Sequence, residues 1–333
     1  MTKDKNKLNK TIKWKVAISD SELNKVSQSI FTELKKQCEV TFWHKPTRPT
    51  KEEFIKLIAG KQAVLCFDVV DREIIERSPD LKIIANNAVG FDKIDLQAAK
   101  EHGIVVTNTP GVLNQSVAEH TFSLIMTITK RIVEGHNAII KTKLTSPNKL
   151  VFGIELKNKT LGIIGLGRIG RGVARIASKG FGMQVLYHSS HRDIQIERET
   201  VAKYTSKEKL LKNSDFVSLH VPLTPDTHYL IGTKELQLMQ KSAYLINTSR
   251  GPVVDEKALV AALKKKLIAG AALDVFEFEP KLSPGLTKLS NVVLTPHIAS
   301  ATIDARTAMA KLAIDNILAV KNGKPPITPV KIE

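Results

Sequence analysis

The chain has 333 residues, 42% of them hydrophobic, which is enough for two folded domains and too apolar for a disordered chain. No run approaches twenty uncharged apolar residues and the opening MTKDKNKLNK is polar, so neither a membrane span nor a secretory leader is expected, and the expected location is cytoplasmic. The net charge of +17 invites a nucleic-acid partner, but the lysines are scattered, concentrated only at Lys3 to Lys15 and Lys264 to Lys266 and without interleaved aromatics; positive potential that recruits an anionic substrate and a phosphate-bearing cofactor is the better reading.

In chain order, KVAISD (15–20), EVTFWH (39–44), AVLCF (63–67), LKIIANN (81–87) and GIVVTN (103–108) read as strands, separated by helices such as KEEFIKLIAG and REIIERSP. Cys38 and Cys66 sit in strand-like contexts, in no CxxC and beside no histidine pair, and read as reduced core residues. NTPG (108–111) closes this block, and the apolar stretch from Val117 to Val133 reads as a helix running out of it. A second block repeats the alternation through KTLGIIG, QVLYHS, DFVSLHV, SAYLINTS, IAGAALDVF and NVVLTPH. A helix from Asp304 to Val320 follows, stopped by Gly323, Pro325 and Pro326. The fold expected is α/β: two Rossmann-like, doubly wound parallel-sheet domains, with a dinucleotide-binding domain (109–299) inserted in a substrate domain (1–108 plus 300–333). No His, Cys or carboxylate cluster has the spacing of a metal site.

Gly165, Gly167 and Gly170 form G-x-G-x-x-G between a strand and a helix, where glycines permit a tight turn, close approach of a pyrophosphate and close helix packing. A merely structural glycine turn would have to explain all three. The next strand should end in Asp or Glu if the adenosine ribose is held by its hydroxyls. It ends instead in Tyr187-His188-Ser189-Ser190-His191-Arg192, with no carboxylate before Asp193, so a ribose 2′-phosphate is tolerated and NADPH is preferred over NADH. The bland alternative is a solvated loop in an enzyme that uses either.

Reduction of a 2-oxo acid needs a proton donor for the developing alkoxide and a cation for carboxylate and carbonyl. His297, Glu279 and Arg250 each follow a strand of the second block, at the carboxyl-end crevice where open α/β sheets bind ligands. Singly they would be a turn histidine, a loop acid and a surface cation. Their motif strings decide the matter: ANNAVGFDKID, NTPGV, SVAEHT, LGIIGLGRIGRGVA, HVPLTPDTHYLI, INTSRGPVVDEKAL, AALDVFEFEP and LTPHIAS. Through these, over roughly residues 60 to 325, the chain resembles the D-isomer-specific 2-hydroxyacid dehydrogenases, most closely their glyoxylate/hydroxypyruvate reductase branch.

The resemblance implies that His297 is the acid/base, with Glu279 pairing to it and raising its pKa from an ordinary ~6.5. It implies that Arg250 binds the substrate carboxylate and carbonyl, and that Val89 and Gly90 offer backbone amides to the carboxylate, the site lying in the cleft between the domains. It places Leu166, Gly167, Arg168 and Ile169 at the pyrophosphate, Ser189, Ser190 and His191 at the ribose, and Val221 and Pro222 at the adenine. Thr248 and Asp274 would meet the nicotinamide end with His297 and Ala299 close by; Thr227, Ser249 and Arg250 complete the cofactor contacts. A homodimer is the usual assembly of the family.

The segment NAIIKTKLTSPNKLVF (137–152) departs from the family, being short and lacking the tryptophan- and glycine-rich stretch that helps shape the partner subunit's pocket. Substrate identity is therefore open to other 2-oxo acids such as 2-ketogluconate or phenylpyruvate, or to a phosphoglycerate dehydrogenase-like activity. The reading from another class is a non-catalytic dinucleotide sensor.

Overall fold

A computed structural model describes residues 13–21, 23, 26, 28–142 and 152–331. The lysine-rich start up to residue 12 and residues 143–151 of the departing segment lie outside these. Two compact units divide the chain: residues up to Leu113 together with Ile303 onward, and Asn114–Thr302.

The first unit holds a five-stranded parallel sheet of β1 (Trp14–Ile18), β2 (Cys38–Phe42), β3 (Ala63–Cys66), β4 (Ile83–Asn86) and β5 (Val105–Thr107), in the order β2-β1-β3-β4-β5. Every residue of β3 and β4 is buried, which is why these runs read as largely apolar stretches without alternation. Phe54, Ile55, Ile58, Ile74, Ile75 and Ala98 cover one face. Phe31, Leu34 and the last helix, through Ala310, Ala313, Ile314 and Ile317, cover the other. Helix starts follow the polar residues that cap them: Thr50 with Glu53 in a capping box, then Asp71 and Asp95. Cys38 and Cys66 are buried and unbridged, and burial pushes both thiols up.

The second unit is a seven-stranded parallel sheet: β6 (Thr160–Ile164), β7 (Gln184–His188), β8 (Lys203–Tyr204), β9 (Phe216–Leu219), β10 (Tyr244–Asn247), β11 (Gly270–Leu273) and β12 (Val292–Leu294). Its order, β12-β11-β10-β9-β6-β7-β8, reverses between β6 and β9, so a crevice opens beyond their carboxyl ends. Six strands fall on the runs read from sequence. The seventh, β8, has two exposed residues on the edge, too few to show any pattern.

The apolar stretch read as one helix from Val117 to Val133 is two helices, Asn114–Thr129 and Ile132–Thr142. Arg131 between them has φ 55°, and a left-handed residue cannot continue a right-handed helix although the apolar periodicity runs on through it. The last helix spans Ile303–Lys321 and ends at Gly323 with φ 69°, where the amides of Gly323 and Lys324 donate to the carbonyls of Val320 and Ala319.

Candidate active site

The turn after β6 uses its three glycines differently. Gly165 has φ 96°, and a Cβ there would stand 2.6 Å from the His220 carbonyl oxygen at the end of β9. A Cβ on Gly170 would stand 2.3 Å from the Gly165 carbonyl oxygen, so this glycine sets how closely the helix Arg168–Arg175 packs on its strand. Gly167 has no atom within 4 Å of its Cβ position: its outer side is open, at the amino end of that helix, where amides and helix dipole favour a pyrophosphate. Leu166 turns its side chain into the core, leaving only backbone to face the crevice. The turn fits a dinucleotide, and Arg168 is exposed at its mouth.

At the end of β7, Ser189 is half-buried, and Ser190, hydrogen-bonded to the ring of His191 at 3.0 Å, is exposed. Arg192 is not open: Nε and one terminal nitrogen donate to the two oxygens of Glu197 at 2.8 and 2.9 Å. After β9, the Thr227 hydroxyl donates to the Pro222 carbonyl at 2.6 Å and accepts from the Thr224 amide at 2.8 Å, so it holds the Val221–Pro222 loop. Thr248 is buried and shares a hydrogen bond with Thr121 at 3.0 Å.

Asp274, at the end of β11, is wholly buried. One oxygen accepts from the Thr295 hydroxyl at 2.6 Å and the Ile298 amide at 2.9 Å and lies 3.3 Å from His120; the other accepts from the Ala299 amide at 2.8 Å. Burial would raise this carboxyl, but the hydrogen bonds from His120, Thr295, Ile298 and Ala299 outweigh it and hold it below the usual carboxylate range. What the structure shows for Asp274 is an anchor of the loop after β12.

That loop carries His297, whose φ of 55° is a left-handed conformation that costs a non-glycine residue about 1–3 kcal/mol. Flanking bonds hold it there: its own amide donates to Thr295, and Asp274 takes the next two amides. Nδ1 lies 2.9 and 3.1 Å from the Glu279 oxygens, and both side chains are 30% exposed. With Glu279 ionised, this contact fixes a proton on Nδ1. Glu279 is itself positioned by the Phe276 amide, 3.1 Å from Oε1.

Arg250 leaves β10 in a turn built by Asn247, whose amide donates to the Arg250 carbonyl at 2.9 Å and whose oxygen accepts from the Ser249 amide and hydroxyl. The next residue, Gly251, lies so close under the 276–277 backbone that a Cβ would fall 1.9 Å from the Phe276 carbonyl. The Arg250 turn therefore rests on the segment that carries Glu279, and Glu279 holds His297. In the first unit, the carbonyls of Val89 and Gly90 accept from Asn108 and Asn86, both at 2.8 Å, and among the described residues no acceptor takes their amide hydrogens.

Asn247, Gly251, His120 and Thr295 were not singled out from sequence. Gly251 follows the arginine and Asn247 closes a strand, but only contacts with distant residues reveal what they do. Among the described residues no group of three or more His, Cys, Asp or Glu could hold a metal ion, and no helix is long and apolar enough to cross a membrane.

Residues 122–299 match the NAD binding domain of the D-isomer specific 2-hydroxyacid dehydrogenases. A glyoxylate reductase of Thermococcus litoralis is 47% identical over 301 residues, covering 88% of this chain and 90% of its own. One of Thermofilum pendens is 49% identical over 303 residues, 88% of each chain. Among solved structures, a glyoxylate reductase from Paecilomyes thermophila superposes with a TM-score of 0.83 at 30% identity, covering 96% of this chain and 98% of that one. An NADPH-dependent glyoxylate/hydroxypyruvate reductase from Sinorhizobium meliloti, in complex with NADP and malonate, gives 0.82 at 28% identity over 96% and 97%.

Proposed function

Because this chain belongs to the D-isomer specific 2-hydroxyacid dehydrogenases, as an NAD(P)-dependent oxidoreductase of the glyoxylate reductase branch, we propose that it reduces glyoxylate, and hydroxypyruvate beside it, to the 2-hydroxy acid. The observation that carries this reading is the 2.9 Å His297–Glu279 contact, with the Arg250 turn resting on the same 276–279 segment.

In this reading the bound nicotinamide supplies the hydride. Arg250 binds the substrate's carboxylate and carbonyl, a planar cation matched to two oxygens. Glu279 stabilises the imidazolium and orients the ring through Nδ1, and His297 gives its proton from Nε2 to the carbonyl oxygen as charge develops there. Glu279 and His297 stay partly exposed, so the imidazole is reprotonated from solvent between turnovers. The Gly165–Gly170 turn carries the pyrophosphate and the Ser189–His191 loop the ribose. The lack of an acidic residue at the end of β7 favours NADP over NAD.

Loss of NADPH or NADH absorbance with glyoxylate, hydroxypyruvate, pyruvate, phenylpyruvate and 2-ketogluconate tests the proposal. Glyoxylate or hydroxypyruvate is expected to turn over fastest, and His297→Ala to slow the reaction by about 10²–10⁴-fold while dinucleotide binding persists. Tight dinucleotide binding with no turnover of any acid would overturn it.

A further inference from the structure

Arg192 is the only arginine in the turn that ends β7, yet its guanidinium fork is engaged. It makes a two-point pair with Glu197, Nε to Oε1 at 2.8 Å and Nη2 to Oε2 at 2.9 Å. Glu197 has a third donor, the hydroxyl of Tyr187, 2.6 Å from Oε1. Tyr187 is fully buried, and its oxygen also accepts from the Asp193 amide at 2.8 Å, which fixes the hydroxyl in place. Asp193 caps the helix Ile194–Thr200 that carries Glu197. Its other oxygen lies 2.7 Å from Nε of Arg171, on the helix Arg168–Arg175, an ion pair whose N–H is not aligned for a hydrogen bond. The carboxylate facing Arg192 is thus held by the core. Its side chain is 14% exposed against 61% for the arginine, and the donors of Arg192 and Tyr187 keep Glu197 ionised, down to about 2.

We propose that Glu197 is a specificity-determining residue that withholds Arg192 from a ribose 2′-phosphate, so that the chain accepts both dinucleotides and the strength of its NADP preference is set from one helical turn behind the ribose. The inference rests on reading the β7 turn as the ribose site. A 2′-phosphate brings about 1.5–2 negative charges, and the arginine meets it already neutralised, with a fixed carboxylate behind it. An unpaired Arg192 would present two aligned donors to the phosphate. NADH carries an uncharged 2′-hydroxyl at this position in place of the phosphate, so removing the charge of Glu197 leaves its binding unchanged.

Glu197→Gln keeps the shape and an acceptor for Tyr187 and removes the charge. Titration of NADPH and NADH against the purified proteins, followed by nicotinamide fluorescence, is expected to give a variant whose preference for NADPH rises about five- to tenfold, with the NADH dissociation constant unchanged. Adding Arg192→Met to Glu197→Gln is expected to remove the gain, which a merely structural role for Glu197 would not produce. Equal changes in both affinities, or none in either, would overturn the proposal while leaving the nucleotide site standing. Failure of the native chain to bind either dinucleotide would overturn the site itself, and the proposal with it.

Discussion

Asp274→Asn is the substitution whose consequence can be worked out most fully. The carboxylate has no exposed surface and accepts from Thr295, Ile298 and Ala299. An asparagine oxygen in place of Oδ1 keeps the first two bonds, but the side-chain nitrogen then faces the Ala299 amide, donor against donor. One charge-assisted bond is lost and a buried amide is left unpaired, together about 2–4 kcal/mol. For a unit the size of Asn114–Thr302 that lowers the melting temperature by about 5–15 °C. The same amides hold the loop that keeps His297 in its left-handed conformation, so a slackened loop displaces the imidazole, and a misplacement of about 1 Å costs about a hundredfold in kcat. Circular dichroism melts and steady-state reduction of glyoxylate measure the two effects. An Asp274→Asn protein that melts within 1 °C of the native chain and keeps its kcat would refute the claim that this carboxylate anchors the His297 loop.

The glycine turn makes a paired prediction. Gly165→Ala places a methyl against the His220 carbonyl on a residue with φ 96° and is expected to cost about 2–4 kcal/mol of stability, seen as a lower urea midpoint. Gly167→Ala meets no protein atom and should leave that midpoint unchanged while weakening dinucleotide binding at least tenfold in a titration. His220, hydrogen-bonded to Ser218 at 2.8 Å, is lowered by burial to about 4, so it folds neutral. The unfolded chain binds the proton first, so this stability is complete above about pH 6.5 and is lost as the pH falls toward 4, about 2 kcal/mol of it by pH 5. Urea midpoints at pH 7 and pH 5 should therefore fall further for the native chain than for His220→Gln; equal falls would remove His220 as the cause.

The strands were readable because a doubly covered parallel strand is buried throughout and mostly apolar, as β3, β4, β9 and β11 are, and β8 was not, having only two residues. The break at Arg131 escaped because a backbone sign change leaves no trace in hydrophobic spacing. In the site, Gly165, Gly167 and Gly170 announce themselves by spacing. Arg250, Glu279 and His297 became legible only as strand-end residues inside family motifs. The 2.9 Å pairing of Glu279 with His297, the burial of Asp274 under His120 and Thr295, and the packing of Gly251 against Phe276 join residues far apart in sequence. Arg192 and Glu197 are near neighbours, but whether the arginine faces its own helix or a ligand depends on where buried Tyr187 fixes the carboxylate.

The chain passes through the first unit twice, and this orders events during synthesis. One face of the β1–β5 sheet is completed by Ala310, Ala313, Ile314 and Ile317, which emerge only after all of residues 114–302. The second unit is one continuous stretch and can close while the ribosome is still translating. The first must wait with Val16, Ile18, Leu65, Ile83 and Ala85 only partly covered, by Phe31 and Leu34, so newly made chains that stall before residue 303 present a sticky strip of sheet for a chaperone to shield.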